Sequence, residues 1–504
     1  MARNRPVGCS GDPRYLEIPN VLRTRPITTL IALLLITVPA VGQTDKIPAD
    51  QLKADFEALY TGLASAHFDL YANRSKEEYD TEFEAALAQL DTSLTRQQAS
   101  VVFQRFAAFG NVAHARIDYD RADFEAYRAN GGKILPLALR IVDGRSYVGE
   151  NYSGNEDLKT GSEIVSINGR PMPDWLALTA RNVSADTPYI AHSLLEFLFP
   201  MYLWLEEGPI DSFELELRDG AKGTKRITLA ALNREQIEAN REASDETFAL
   251  DSTTREAAML DGGVAYLRPG PFYNAEKPET PWDNRKFVRF IDESFESFLD
   301  AGATRLVVDL RQNPGGDNSF SDPMVAWFAD EPFSFASAFR VRSSTEARAS
   351  NQARLDANPG MTEGASVFFA ERYAETPLGD TFEYPIPKTA PRDGKRFDGE
   401  VYVLIDRHSY SNAVTVAALV QDYGFGVILG EKTSDMATTY GAMETFSLPA
   451  TGLVVGFPKA HIVRPSGELR TDGVTPDVPI RSPIVPATND VVLEAALKYI
   501  AEAS

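Results

Sequence analysis

The sequence predicts an α/β protein in which a largely parallel sheet is preceded by a small helical bundle and a β-domain. From about Leu260 to Ile484, apolar strand segments alternate with amphipathic helices, an order typical of parallel sheets. Two of these strands, in LVVDLRQNPGGD and VYVLID, run directly into polar or glycine-rich turns. With 504 residues, 43% of them hydrophobic, the chain is long enough for several domains with their own cores.

The N-terminal 42 residues have the features of an export signal. Arg23 and Arg25 precede the short apolar run Leu30–Val38, and small residues stand at the −3 and −1 positions before Gln43. We expect cleavage, export to the periplasm and no stable membrane insertion afterwards; an uncleaved anchor is the alternative. The single cysteine, Cys9, precedes the apolar run, which excludes thiol catalysis and disulfides after cleavage.

Apolar residues between about Leu52 and Phe109 keep a helical period, which predicts a bundle of about three helices within 47–125. Two capping-box spacings mark helix starts: Ser75 with Glu78, and Thr95 with Gln98.

Residues 130–235 alternate strand patterns with tight turns, among them Asp143-Gly144, and an apolar aromatic stretch interrupts the series. The segment LKTGSEIVSINGR, with its Asn168-Gly169 turn, resembles the PDZ pattern of a strand that ends in an Asn-Gly turn. A PDZ-like domain is therefore expected, although a carboxylate-binding loop of the Gly-Leu-Gly-Phe type is absent from the sequence. Residues 245–485 then form the α/β core, and a helix is expected within 486–504.

Composition and spacing narrow the possible partners. The net charge of −22 disfavours nucleic acid and anionic membranes. The five histidines are scattered without HExxH spacing, so no metal site is expected. We see no phosphate-binding glycine loop and expect no cofactor; protein or peptide substrates are the expected partners, and the oligomeric state stays open.

Two segments suggest nucleophilic chemistry. Ser411 follows the VYVLID strand and opens an apolar helix, with the N–H of Asn412 next in the chain. Gly315 and Gly316 end the other strand in a turn that can aim backbone N–H groups at one point. A serine needs such donors where the oxyanion forms, so these residues predict an oxyanion hole beside a nucleophile.

Four segments, VVDLRQNPGG, YSNAVTVAAL, VILGEKT and RPSGELRTDGVTPDV, stand in the order and at the spacing of one family. In them the sequence resembles the tail-specific, or C-terminal processing, serine peptidases, whose relatives include tricorn protease and the repeats of interphotoreceptor retinoid-binding protein. The resemblance covers nearly all of the chain after the leader. It implies a crotonase-like (ClpP/crotonase) core and peptide-bond hydrolysis through an acyl-enzyme on Ser411. Ser409 is the alternative nucleophile, but the family pattern falls on Ser411.

The best-known branch of that family uses a lysine base, and Met436 stands at the corresponding position in GEKTSDMATTYG. The tricorn-like branch places a histidine after the N-terminal helices, and His114 in VAHARIDY occupies that place. The resemblance therefore implies His114 as the base. Lys432 and His461 are the alternatives.

The tricorn-like branch also uses a serine beside the histidine and a late glutamate. Ala113 stands at the first position, so that link is missing. Glu468 in SGELRTDG is expected in the second role, with Asp472 as the alternative. Three hypotheses follow: an exported serine endopeptidase, an inactive relative that binds peptides or apolar ligands, and a different acyl-transfer enzyme on the same core.

Overall fold

A computed structural model describes residues 46–503, apart from 118–120, 219, 221–222, 244–248, 278 and 486. The predicted leader at 1–42, with Cys9, lies outside these residues. Within the described part, no helix is both long and apolar enough to span a bilayer.

The N-terminal part consists of three helices with short strands at its edges. In chain order these are β1 (Lys46–Ile47), α1 (Ala49–Ala66), α2 (Lys76–Leu87), β2 (Leu94–Thr95), α3 (Arg96–Phe109) and β3 (Arg116–Ile117). Both predicted capping boxes are formed, at Ser75 and at Thr95. The helices pack through aromatic rings, and the apolar cluster that contains these rings continues into the C-terminal part of the molecule. The helices therefore share one core with the sheet that follows.

The β-domain, residues 130–235, follows helix α4 (Arg121–Ala129). Its elements are β4 (Leu137–Val142), β5 (Arg145–Asn151), β6 (Glu163–Ile167), β7 (Arg170–Pro171), α5 (Met172–Ala180), α6 (Pro188–Glu207), β8 (Ser212–Arg218) and β9 (Thr224–Ala230). The strands form an antiparallel sheet in the order β4-β5-β6-β8-β9, and β7 pairs with β6. Asp143 and Asn168 have positive φ in the predicted turns, each followed by a glycine with positive φ. The aromatic stretch that interrupts the strand pattern is helix α6, which covers the sheet.

The C-terminal part begins with α7 (Arg234–Ala243) and contains a six-stranded sheet in the order β10-β11-β12-β15-β16-β19. Its strands are β10 (Glu256–Leu260), β11 (Val264–Arg268), β12 (Arg305–Asp309), β15 (Glu400–Ile405), β16 (Val427–Gly430) and β19 (Val478–Pro479). All pairs are parallel except β10 with β11. Helices α8 (Arg285–Asp300), α9 (Asn318–Val325) and α12 (Asn412–Tyr423) connect the strands, as the alternating pattern predicts. The parallel pairing places the ends of β12 and β15 side by side.

A second sheet has the order β14-β13-β18-β17, and β3 from the N-terminal part pairs with β18. Its strands are β13 (Ala338–Arg342), β14 (Thr381–Glu383), β17 (Thr439–Ser447) and β18 (Val454–Val463). Two helices that the sequence pattern did not predict, α10 (Thr345–Ala357) and α11 (Ala365–Glu375), lie between β13 and β14. The last helix, α13 (Val491–Glu502), packs its buried face on the parallel sheet.

Candidate active site

Ser411 lies at the junction between β15 and α12 in a strained backbone conformation, with φ 52° and ψ −120°. A non-glycine residue with positive φ is uncommon and often marks a functional position. Its N–H donates to Asp435 Oδ2 at 2.6 Å, while no hydrogen bond engages its Oγ within the described part of the chain. Ser409, the alternative nucleophile, is fully buried, and its Oγ donates to the Leu310 carbonyl at 2.7 Å. Ser411 therefore presents the available hydroxyl.

The glycine turn, Asn313–Gly316, lies directly against this junction. Tyr410 N–H donates to the Asn313 carbonyl at 2.9 Å, which fastens the two loops together. A Cβ on Gly315 would lie 2.5 Å from the Tyr410 carbonyl oxygen and 2.7 Å from the Asn412 nitrogen. Only a glycine leaves room for such a close approach.

The backbone donors around this space differ in availability. Gly315 N–H already donates to Asn313 Oδ1 at 2.9 Å. The neighbouring bridge to Phe272 uses the Gly315 carbonyl and the Asp317 N–H, so it leaves Gly316 N–H out. Among the described residues, neither Gly316 N–H nor Asn412 N–H has an acceptor. These two groups are therefore the ones available to an oxyanion.

His114 lies in the loop of residues 110–117, which follows α3 and includes β3, and its ring stacks on that of Tyr410, the residue before Ser411, at 6.3 Å between centroids. Burial and, to a lesser degree, the charge of Arg116 lower the pKa of His114 to about 4, against the opposite effect of a hydrogen bond with the Tyr440 backbone. Nδ1 is buried and has no partner among the described groups. The ring is thus neutral near pH 7, the form that a general base requires.

Neighbouring elements hold this loop from several sides. Ile117 N–H donates to Gln104 Oε1 of α3 at 2.6 Å. Ser184 Oγ donates to the Ala115 carbonyl at 2.6 Å, and Ala113 N–H donates to Asp186 Oδ2 at 3.0 Å. Both partners belong to the segment between α5 and α6, so the β-domain helps to place the imidazole.

Glu468 does not contact His114 in this structure. Its carboxylate pairs with Arg464 and Arg470, its side chain is 42% exposed, and no hydrogen bond connects it to the imidazole within the described chain. Its alternative, Asp472, pairs with Lys432 at 2.5 Å. These carboxylates are therefore satisfied by cations near the surface.

The two alternative bases, Lys432 and His461, and the nearby His408 make other contacts in this structure. Lys432 is held by Asp472, as described above. The ring of His461, on β18, packs in tilted contacts against the rings of Phe68 and Tyr440. Both ring nitrogens of His408 have partners: Nδ1 lies 3.1 Å from Ser193 Oγ, and Nε2 lies 2.9 Å from Glu196 Oε2.

Two carboxyl groups at the site, of the buried Asp435 and the partly exposed Asp186, were not identified from the sequence. Asp435 is 1% exposed and accepts the N–H of Ser411; its Oδ1 is buried without a partner among the described groups. Asp186 holds the residue before His114. Asp435 directly precedes Met436, which stands at the lysine position of the family, and this was the one feature of the sequence that could have pointed to it. No feature of the sequence pointed to Asp186.

The described residues contain no group of three or more His, Cys, Asp or Glu arranged for a metal ion.

Similarity to known proteins shows the class of protein to which this site belongs. Residues 265–480 match the family model described as peptidase family S41. The chain carries a domain of this family and is a serine-type peptidase.

Solved structures resemble this chain along nearly its whole length. Mature CPAF complexed with lactacystin aligns at a TM-score of 0.60 and 15% identity, covering 90% of this chain and 97% of that one. Mature CPAF aligns at 0.59 and 16% identity, covering 90% and 96%. The photosystem II D1 C-terminal processing protease aligns at 0.43 and 16% identity, covering 85% and 93%. The CPAF likeness shows a shared fold; no curated protein sequence matches the chain.

Proposed function

We propose that the protein is an exported serine endopeptidase that cleaves unfolded or C-terminal protein segments through an acyl-enzyme on Ser411, with His114 as general base. The observation that carries the proposal is the Ser411 junction. A strained serine with an available hydroxyl lies beside two backbone N–H groups, of Gly316 and Asn412, that have no acceptor in the described structure. This combination is what acyl transfer requires.

In the proposed mechanism, Ser411 Oγ attacks the scissile carbonyl while neutral His114 takes its proton. Gly316 and Asn412 donate to the oxyanion, and each such donor is typically worth about 3 kcal/mol in the transition state. Gly315 contributes space rather than a donor, because its own N–H is bonded to Asn313. The protonated imidazole then delivers its proton to the leaving amine, and water releases the acyl group.

The base has to approach the nucleophile more closely than it does here, since no hydrogen bond joins His114 to Ser411 Oγ in the described structure. Catalytic hydrogen bonds are often long without substrate and shorten in the complex. The Tyr440 backbone, rather than the exposed Glu468, supports the imidazole in this arrangement. Glu468 joins the mechanism only if substrate draws its loop inward.

The fold and the leader support the remaining parts of the proposal. The parallel sheet with its connecting helices suits a crotonase-like core, the α1–α3 helices a bundle that delivers the base, and the β4–β9 sheet a PDZ-like domain that presents substrate. The apolar leader supports export. No cofactor has a step in this mechanism.

The experiment compares wild type with Ser411→Ala and His114→Ala by fluorophosphonate labelling and by digestion of an unfolded polypeptide. We expect labelling to disappear in Ser411→Ala and kcat to fall by on the order of 10⁴-fold or more, as in other serine peptidases. His114→Ala is expected to slow acylation about 10²- to 10⁴-fold. Mapping the products from substrates with a free or an amidated C-terminus tests the preference for chain ends.

Ser409→Ala and His461→Ala serve as matched controls, because they remove the alternative nucleophile and the alternative base. We expect both to label at the wild-type rate wherever they remain folded. A labelled Ser411→Ala enzyme would refute the nucleophile, and an unimpaired His114→Ala enzyme would refute the base. A folded wild type that neither labels nor digests would favour the inactive, ligand-binding relative.

A further inference from the structure

Two carboxyl groups, one buried (Asp435) and one partly exposed (Asp186), hold the backbone next to the proposed catalytic residues without taking part in the proposed chemistry. Asp435 lies in the loop after β16, and Asp186 lies between α5 and α6. Each accepts a backbone N–H from one half of the site: Asp435 from Ser411 at 2.6 Å, and Asp186 from Ala113, next to His114, at 3.0 Å. The nucleophile and the base are thus each held by one carboxyl group.

The two carboxyl groups influence each other. Burial raises the pKa of Asp435 to about 7, and the negative charge of Asp186 contributes to this rise. Burial likewise raises the pKa of Asp186 to about 6. Two interacting carboxyl groups in a buried place do not both ionise easily, so they titrate as a pair.

Few other titratable groups face this pair. Within the described chain, burial raises the pKa of Tyr440 on β17, and the charges of Asp69, which follows α1, and of Asp186 add to this rise. The Tyr440 backbone in turn bonds to His114. Asp435 has no cationic partner among the groups that act on it, and its Oδ1 is buried without a hydrogen bond in the described structure. Asp435 therefore does not stabilise the fold through an ion pair, and a buried carboxyl group of this kind is a candidate for a role at the site.

The strained backbone of Ser411 needs a contact that holds it, and Asp435 supplies one. A serine at φ 52° and ψ −120° persists only where its surroundings hold it. The 2.6 Å hydrogen bond from Ser411 N–H to Asp435 is such a contact, and it is stronger when the carboxyl is ionised. The glycine turn closes the other side of the same junction.

We propose that Asp435 and Asp186 are a pair of positioning residues: Asp435 holds the strained backbone of Ser411 in its reactive conformation, and Asp186 holds the His114 loop against it. Neither touches the reacting atoms. The inference rests on the proposed function, since it assigns these groups to the Ser411 and His114 arrangement.

The test measures acylation by a fluorophosphonate, and kcat and KM on a peptide, across the pH range in Asp435→Asn, Asp435→Ala and Asp186→Asn. We expect Asp435→Ala to lower kcat about 10²-fold, the size of effect that a small misplacement of a reacting group produces. KM should change little, because substrate contacts remain. Asp435→Asn keeps an acceptor for the Ser411 N–H and should recover part of the loss.

The pH profile separates positioning from a merely structural role. In wild type we expect acylation to rise as the pH rises through about 7, where Asp435 ionises. Asp435→Asn should remove this rise. Asp186→Asn should move it to lower pH, because removing the neighbouring negative charge lowers the pKa of Asp435.

Asp55→Asn is the matched control. Asp55 is also a buried carboxylate that accepts backbone N–H groups, those of Ala450 and Thr451, but it joins α1 to a turn away from Ser411. We expect it to lower the melting temperature without changing the pH profile. If Asp435→Ala does not fold, the two Asn variants carry the test.

Wild-type kcat and pH profiles in both Asn variants would overturn the positioning role and leave the proposed function intact. A Ser411→Ala enzyme that still labels would instead overturn the proposed function. The two failures are therefore distinguishable in one series of measurements.

Discussion

At Gly315, a single methyl group would collide with the residues on which the proposed chemistry depends. Besides the Tyr410 and Asn412 backbone, it would meet Ser411 Cβ at 2.9 Å. The φ of 82° is also unfavourable for any residue with a side chain. The same methyl would therefore disturb both the nucleophile and one oxyanion donor.

Gly315→Ala is expected to lower kcat by about 10²- to 10³-fold, the cost of losing one oxyanion donor. Steady-state kinetics on a peptide and thermal unfolding would check this. The matched control is Gly302→Ala, since Gly302 has a similar φ of 71° but nothing within 4 Å of the added methyl. It should lose only about 1 kcal/mol of stability and keep its kcat. Equal kinetic losses in both variants would show that the effect is general backbone strain.

At the scale of elements, the loop of residues 110–117 is held in place by contacts from three different parts of the molecule. Helix α3 supplies Gln104, the β-domain supplies Ser184 and Asp186, and β18 pairs with β3. Gln104 also donates to the Asn182 carbonyl at 3.0 Å, so one buried amide connects α3, the loop and the β-domain. The position of His114 is thus a product of three parts of the molecule.

Gln104→Leu is predicted to loosen this loop. It leaves the buried Ile117 N–H without an acceptor, which costs about 1 to 3 kcal/mol of folding stability. Because the loop carries His114, acylation should slow about tenfold or more, with KM nearly unchanged. Ser100→Ala in the same helix is the control, since its buried hydroxyl donates to the Gln97 carbonyl within that helix. A Gln104→Leu enzyme that acylates as fast as the control would contradict this role.

Elements with strong local signals could be predicted from the sequence. The period of apolar residues gave α1 to α3 and the alternation of the core, and the spacing at Ser75 and Thr95 gave the two helix starts. Asp435 and Asp186 could not be predicted, because burial of a carboxyl group is decided by contacts between distant segments. The surface ion pairs of Glu468 are set in the same way.

Across the whole molecule, buried acids of two kinds oppose each other in their effect on stability. Burial raises the pKa of Glu196 and of Glu444, but their cationic partners lower it by more, to about 2 in each case. Burial without such partners raises the pKa of four aspartates, to about 6 for Asp186 and Asp317 and about 7 for Asp322 and Asp435.

By themselves, the shifts of these acids predict a stability maximum at about pH 4 to 5, while the lowered pKa values of His67 and His114 act in the opposite direction below 6.5. The glutamate pairs stabilise the fold above their unfolded pKa of 4.5, and this contribution is lost as the pH falls towards 2. The aspartates keep protons in the folded state that the unfolded chain releases above 3.8, so stability falls as the pH rises through 6 and 7. Melting temperatures between about pH 2.5 and 8 would check this.

Asp322→Asn is the matched test of the alkaline side. The amide oxygen can accept the bonds that Asn318 and Thr389 donate to Asp322, so this variant should melt higher than wild type at pH 7 and similarly at pH 4. The exposed Asp261→Asn serves as control and should shift neither value. An Asp322→Asn variant that melts at or below the wild-type temperature at pH 7 would contradict the prediction.

Met436 extends from the catalytic part into the core of the β-domain, where it is 5% exposed among that domain's apolar side chains. The β-domain is therefore not an independent module, since its removal would expose the Met436 side chain and leave a cavity in the core of the β-domain. Met436 is covalently joined to Asp435, and Asp435 is bonded to Ser411. Movement of the β-domain would therefore displace Asp435 and, through its hydrogen bond, the backbone of Ser411.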